Sequence, residues 1–193
     1  MKKAMGERFD DSFRLWYYDN ADHLEGPVTG TKASRIVEYT GFLQQALRDV
    51  SAWAEKGIRP NPSTRYELSG GQVAVPAKAA ARRGVQPVVD LTANGADRID
   101  VRAGETVTFK AEIQVPPGAG KVVSTEWDFR GEGAFDARPF GPVRRSVEVM
   151  TTFTYDTPGT YIAALRATAQ RDGNAQTPFA RMPNLGRARV TVH

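Results

Sequence analysis

The spacing of apolar residues changes near residue 85. Upstream, residues 32–56 read KASRIVEYTGFLQQALRDVSAWAEK. Ile36, Thr40, Leu43, Leu47, Val50 and Ala54 recur there at intervals of three and four, and Val37, Ala46 and Trp53 widen the stripe. That period predicts one long helix, and so broad a stripe calls for a partner surface. Thr31 or Ser34 can cap its start; Gly57 can take the left-handed conformation that ends it, and Pro60 prevents its resumption. Before it, residues 13–18, FRLWYY, are apolar on both faces and predict a strand of the doubly covered kind. One strand and one helix cannot close a core alone.

Downstream the period becomes two. Val107, Phe109, Ala111, Ile113 and Val115 alternate with polar residues; so do Val147, Val149, Thr151, Phe153 and Tyr155, then Tyr161, Ala163, Leu165 and Ala167, then Ala188, Val190 and Val192. With shorter runs at 88–93, 98–101 and 121–129, this gives about seven strands separated by Gly/Pro turns, the pattern of an antiparallel β-sandwich. Between the two regimes, residues 61–84 are linker-like, with a short strand at 72–75 and one or two helical turns ended by Gly84. The predicted fold is therefore mostly β, with an N-terminal α/β piece: a sandwich at 86–193, a linker at 61–85, and one strand and one long helix at 1–60.

Composition narrows the function. The chain of 193 residues is 40% hydrophobic, with a mean hydropathy of -0.44 and no cysteine. No apolar run approaches the ~18 residues of a membrane span, and the first residues lack the apolar stretch of a signal peptide. The net charge of +4 is concentrated in residues 61–84, where Arg65, Lys78, Arg82 and Arg83 face only Glu67. So local an excess offers few phosphate contacts, which argues against nucleic acid as a partner. Asp19, Asp22, His23 and Glu25 lie close together, but without the glycine and distant glutamate of an EF-hand loop. Neither a metal site nor a cofactor is assigned.

Two stretches in the second half carry more than alternation. Trp127-Asp128-Phe129-Arg130-Gly131-Glu132-Gly133 and Tyr155-Asp156-Thr157-Pro158-Gly159-Thr160-Tyr161 resemble the W-D-F-G-D-G and Y-x-x-P-G-x-Y signatures of the PKD domain, an immunoglobulin-like sandwich. Arg130-Gly131-Glu132-Gly133 departs from the usual tight turn, and Ala163 stands where valine is common. The residues have framework roles: Trp127 as a large inward side chain, Asp128 bonding the amides of the Gly-rich turn, Tyr161 as a tyrosine corner. Phe135 and Phe140, on the long connection after the Trp strand, are the candidate binding residues, as aromatic groups exposed on a sandwich loop.

The first half is similar to a different family. A strand ending in Asp19-Asn20-Ala21-Asp22-His23, then a helix ending in Trp53-Ala54-Glu55-Lys56-Gly57-Ile58-Arg59-Pro60, resembles the last unit of an α/β-hydrolase of the tannase and feruloyl-esterase sort. The resemblance implies that His23 is the catalytic base of a serine esterase. The serines at 12, 34, 51, 63, 69, 124 and 146 include none in G-x-S-x-G, so nucleophile and acid would lie upstream and the chain would be a fragment, not catalytic by itself. The expected function is a non-catalytic PKD-like interaction or spacer module attached to the C-terminal piece of a secreted hydrolase. The alternative is the tail of a serine hydrolase supplying His23. Expected partners are a protein or polysaccharide surface, and a second copy through the N-terminal strand and helix. The PKD resemblance implies an extracytoplasmic location: secreted, periplasmic or at the cell surface.

Overall fold

The alternating residues of the second half form two facing sheets in the computed structural model, which describes residues 2–24 and 26–193. In chain order the helices are α1 (Lys2–Met5), α2 (Phe9–Ser12), α3 (Thr40–Lys56) and α4 (Ala79–Arg82), with 3-10 turns at Gly6–Arg8 and Gly30–Ser34. The strands are β1 (Glu67–Ser69), β2 (Gln72–Ala74), β3 (Val88–Ala93), β4 (Arg98–Val101), β5 (Thr106–Gln114), β6 (Lys121–Asp128), β7 (Asp136–Ala137), β8 (Ser146–Thr154), β9 (Gly159–Gln170) and β10 (Met182–Val192). One sheet has the order β4-β10-β9-β6-β7 and the other β3-β5-β8, while β1 and β2 make a separate hairpin. All ladders are antiparallel except β10–β4, which is parallel.

The sandwich core follows the period of two. In β5, Val107, Phe109, Ala111 and Ile113 are all buried, and the residues between them are not. An aromatic column runs through the middle: Trp127 stacks on Phe129 at 5.5 Å, Phe129 on Phe153 at 4.6 Å, and Tyr155 and Tyr161 continue it. Burying such rings is the largest single source of hydrophobic stabilisation available to a domain of this size.

The N-terminal region departs from expectation in three ways. Residues 13–18 do not form a strand. They run beside residues 60–64, where Pro60 and Pro62 have no N–H to offer a ladder. Side-chain hydroxyls substitute: Leu15 N–H donates to Ser63 Oγ at 3.1 Å and Tyr17 N–H to Thr64 Oγ1 at 3.1 Å, while Thr64 N–H donates to Leu15 O at 2.9 Å. The helix, in turn, begins at Thr40 rather than near residue 32. The chain ahead of it is committed elsewhere: Val37 N–H donates to Asn20 O and Asp22 N–H to Val37 O, closing a parallel bridge between Ala21 and Val37. Neither Thr31 nor Ser34 caps α3; Gly57 does end it in the left-handed region, at φ 67°.

The third departure is in the orientation of α3. Its buried residues are Phe42, Gln45 and Asp49. Leu47 and Val50, central to the predicted apolar stripe, are 62% and 59% exposed. Asp49 accepts from Gln45 at 3.0 Å and pairs with Arg171, from the β9–β10 connection, at 2.8 Å. Tyr18 stacks on Phe42 at 4.2 Å, and burial, followed by the nearby Asp49 charge, pushes its hydroxyl pKa up to about 12.

Candidate functional site

The outer face of the five-stranded sheet is covered by the N-terminal segment, and a cleft opens between the two. Asn20 Nδ2 donates to Asn184 Oδ1 at 3.0 Å, Gln86 bridges the main chain of Asp19 and Pro183, and Arg82 holds the Asp19 carboxylate at 2.5 Å. Gly41 is needed for close approach, since a β-carbon there would sit 1.7 Å from the Arg181 carbonyl oxygen. Gln44 Oε1 accepts the Ala180 N–H at 2.7 Å.

The cleft has a volume of about 460 Å3. Its floor is a cross-strand pair, Glu126 on β6 and Arg166 on β9, directly opposite in the ladder. The guanidinium engages both carboxylate oxygens, at 3.0 and 2.9 Å, and lies 4.2 Å over the Phe135 ring. Arg181 stands beside them, held by Ser124 Oγ at 3.0 Å and Ala175 O at 3.1 Å. Thr40, Gln44 and Thr168 add polar groups, while Pro27, Val28 and Ile36 form an apolar wall. Glu126 neutralises Arg166, and Glu38 on the wall and Arg181 add one charge of each sign, so the cleft offers directional hydrogen bonds rather than a strong net field. Such a surface suits uncharged polar groups beside apolar ones.

His23 stands apart from this cleft. Its side chain is 91% exposed, with Nδ1 3.5 Å from Asp22 Oδ1, and Asp22 itself accepts the His23 main-chain N–H at 2.7 Å. The strand that the hydrolase resemblance requires before it is not formed, and α3 begins well after it. Of the acidic neighbours, Asp19 is bound to Arg82, and Glu25 lies outside the described residues. Phe135 and Phe140 are half-buried and packed against the core rather than free on a loop, Phe135 lying beneath Arg166. Glu126, Arg166 and Arg181 carry the cleft, and sequence reasoning missed them. Glu126 and Arg166 occupy outward positions on alternating strands and Arg181 lies in the β9–β10 connection, places where a charged residue signals only solvent.

The signature residues do framework work. Asp128, buried at the end of β6, accepts the N–H groups of Arg130 and Gly131 on Oδ1 and of Gly133 on Oδ2, at 3.1, 2.9 and 2.8 Å. Its Oδ2 also accepts the Ser34 hydroxyl at 2.5 Å, which ties the N-terminal segment to the turn. Gly133 is at φ 82°, and a β-carbon there would lie 1.8 Å from Gly30 O, so no other residue fits. Tyr161 donates its hydroxyl to Thr157 O, four residues upstream, at 2.9 Å. The Tyr155 hydroxyl donates to Phe129 O at 2.7 Å; burial, with Tyr161 and Asp128 nearby, raises its pKa well above the usual tyrosine value, so it remains a donor.

This turn and corner agree with the comparison of sequences: residues 90–181 match the family model described as the PKD domain. Residues 90–181 carry the PKD-domain match, and the sandwich they build has the immunoglobulin-like fold of that family. The PKD domain of an M14-like peptidase from a Thermoplasmatales archaeon is similar at 19% identity over 56% of this chain and 98% of that one, with a TM-score of 0.39. A CARDB domain from Pyrococcus furiosus is similar at 15% identity over 56% of this chain and 88% of that one, with a TM-score of 0.33. No curated protein matches. The PKD domain is a non-catalytic immunoglobulin-like module, and here its signature groups, Trp127, Asp128 and Tyr161, hold the sandwich together.

Proposed function

We propose that this chain is an extracytoplasmic interaction and spacer module, and that it holds part of another protein's surface in the cleft floored by Glu126 and Arg166. The observation that carries this reading is the cleft itself: a preformed concavity in which side chains from β6, β9, the β9–β10 connection and the N-terminal segment converge. The paired floor and the hydroxyl and amide groups around it match the main-chain amides of a peptide loop, and Val28 and Ile36 offer an apolar contact. PKD domains typically mediate protein interactions and usually occur in extracellular proteins, which supports both the partner class and the location.

The test is binding of the chain and of its Val28→Arg/Glu38→Arg variant to an immobilised peptide library and to insoluble cellulose, chitin and peptidoglycan. Val28 and Glu38 both line the cleft wall and are not buried, so urea unfolding should be unchanged. Peptide retention that the variant loses supports the reading. Retention on a polysaccharide that the variant loses would replace the protein partner with a glycan. Retention that the variant keeps, or none on any probe, would remove the cleft from the function.

A further inference from the structure

The edges of the two sheets are unequally protected. β7 is two residues long and runs into Pro139, and β4 has four residues. β3 lies close against β10, where a β-carbon on Gly186 would come within 2.7 Å of Val89. β8 is the exception: it is nine residues long, pairs among the described residues only with β5, and its one charged side chain, Glu148, is tied to Lys110 at 3.1 Å. Long edge strands with few charges are templates for pairing.

The hydrogen-bond parity of that edge can be read from the far side of β5. Thr108 O accepts the Asn94 N–H at 2.8 Å, and Thr108 N–H donates to Asn94 Oδ1 at 2.9 Å. Even-numbered residues of β5 therefore direct their main chain toward the β3 side. Odd-numbered ones face β8, where Phe109, Ala111 and Ile113 meet Thr151, Val149 and Val147. The Val115 N–H to Arg145 O bond continues the parity. It follows that Ser146, Glu148, Met150, Thr152 and Thr154 aim their N–H and C=O groups away from the sheet. Among the described residues no main-chain partner reaches them.

These five residues are self-complementary. With a two-fold axis at Met150, Met150 opposes its own copy, Glu148 opposes Thr152, and Ser146 opposes Thr154. Each opposed pair is one whose main-chain groups point outward, so the ladder closes along the whole strand. Met150, 72% exposed, gains an apolar neighbour at the axis. The ladder ends at Ser146, because the Arg144 carbonyl already accepts the Val122 N–H of β6 at 2.8 Å. We propose that the chain forms a two-fold dimer through β8, joining two three-stranded sheets into one continuous antiparallel sheet. This surface belongs to the opposite sheet from the cleft and does not depend on it.

Sedimentation velocity over a concentration series tests the dimer. The mass should rise with concentration from 21.1 kDa toward twice that value. Met150→Lys places two like charges at the axis and should weaken association about tenfold. Thr152→Pro removes an outward N–H from each strand while leaving the ladder bonds of Thr151 and Phe153 to β5, and should weaken it as well. The proline variant keeps the proposal testable should Met150→Lys fold poorly. A monomer at every concentration overturns the proposal. So does a dimer indifferent to both Met150→Lys and Thr152→Pro. A monomer that instead captures an extended synthetic peptide in a Met150-dependent way overturns the second copy as the occupant.

Discussion

Along β5 the buried residues are Val107, Phe109, Ala111 and Ile113, whereas along α3 they are Phe42, Gln45 and Asp49, and Leu47 and Val50 face outward. The sandwich buries what its sequence pattern marks as apolar; the helix beside it buries one apolar residue, Phe42, which lies outside the predicted stripe. The difference lies in what each element packs against. β5 faces the apolar inner face of the opposite sheet. The N-terminal segment packs on the outer face of the five-stranded sheet and on the β9–β10 connection, which present Glu126, Arg166, Arg171 and Arg181. A helix docking there must bring polar partners, because an unpaired buried guanidinium costs more than exposed leucines do.

The largest effect expected from this comparison is in the sandwich. Trp127→Ala removes the inward ring that contacts Phe109 and Phe129. It should destabilise the chain by about 3–5 kcal/mol in urea unfolding. A cost below about 1 kcal/mol would mean that the aromatic column is not the core.

An intermediate effect is expected where α3 meets Arg171. Asp49→Asn leaves that guanidinium without its counter-charge and should cost about 2–3 kcal/mol, since the pair is only partly buried. Asp49→Leu combined with Arg171→Met should recover most of the loss, measured by the same unfolding curves. If the double variant is no better than the single one, the pair is not what orients the helix.

The smallest effect is the most pointed. Leu47→Lys, in the middle of the predicted stripe, should change stability by no more than about 0.5 kcal/mol, as at an ordinary surface position. A loss of about 2–4 kcal/mol, the cost of disturbing a buried leucine, would show that α3 is turned the other way.

Much of the sandwich is legible in the amino-acid pattern. The seven predicted strands coincide with β3 to β6 and β8 to β10, while the short β7 escapes detection because two residues carry no period. The roles of Trp127, Asp128 and Tyr161 are legible too, since turn and corner are built from residues within a few positions of one another. The candidate site is hardly legible at all. Glu126 and Arg166 are 40 residues apart, and Arg181 and Ser124 are 57 apart. His23, Phe135 and Phe140 stand out because they are rare or aromatic, which says nothing about what surrounds them.

The sequence by itself determined the strands, the turns at Gly131, Gly133 and Gly57, and the PKD signatures, because period, φ preference and short-range hydrogen bonds are set by near neighbours in the chain. Only the tertiary structure decided that residues 13–18 pair with hydroxyls instead of a ladder, that α3 turns Asp49 inward, and that Glu126 and Arg166 floor a cleft. Each of those outcomes depends on which surface lies opposite, and that surface is assembled from residues distant in the chain, beyond the reach of any local pattern.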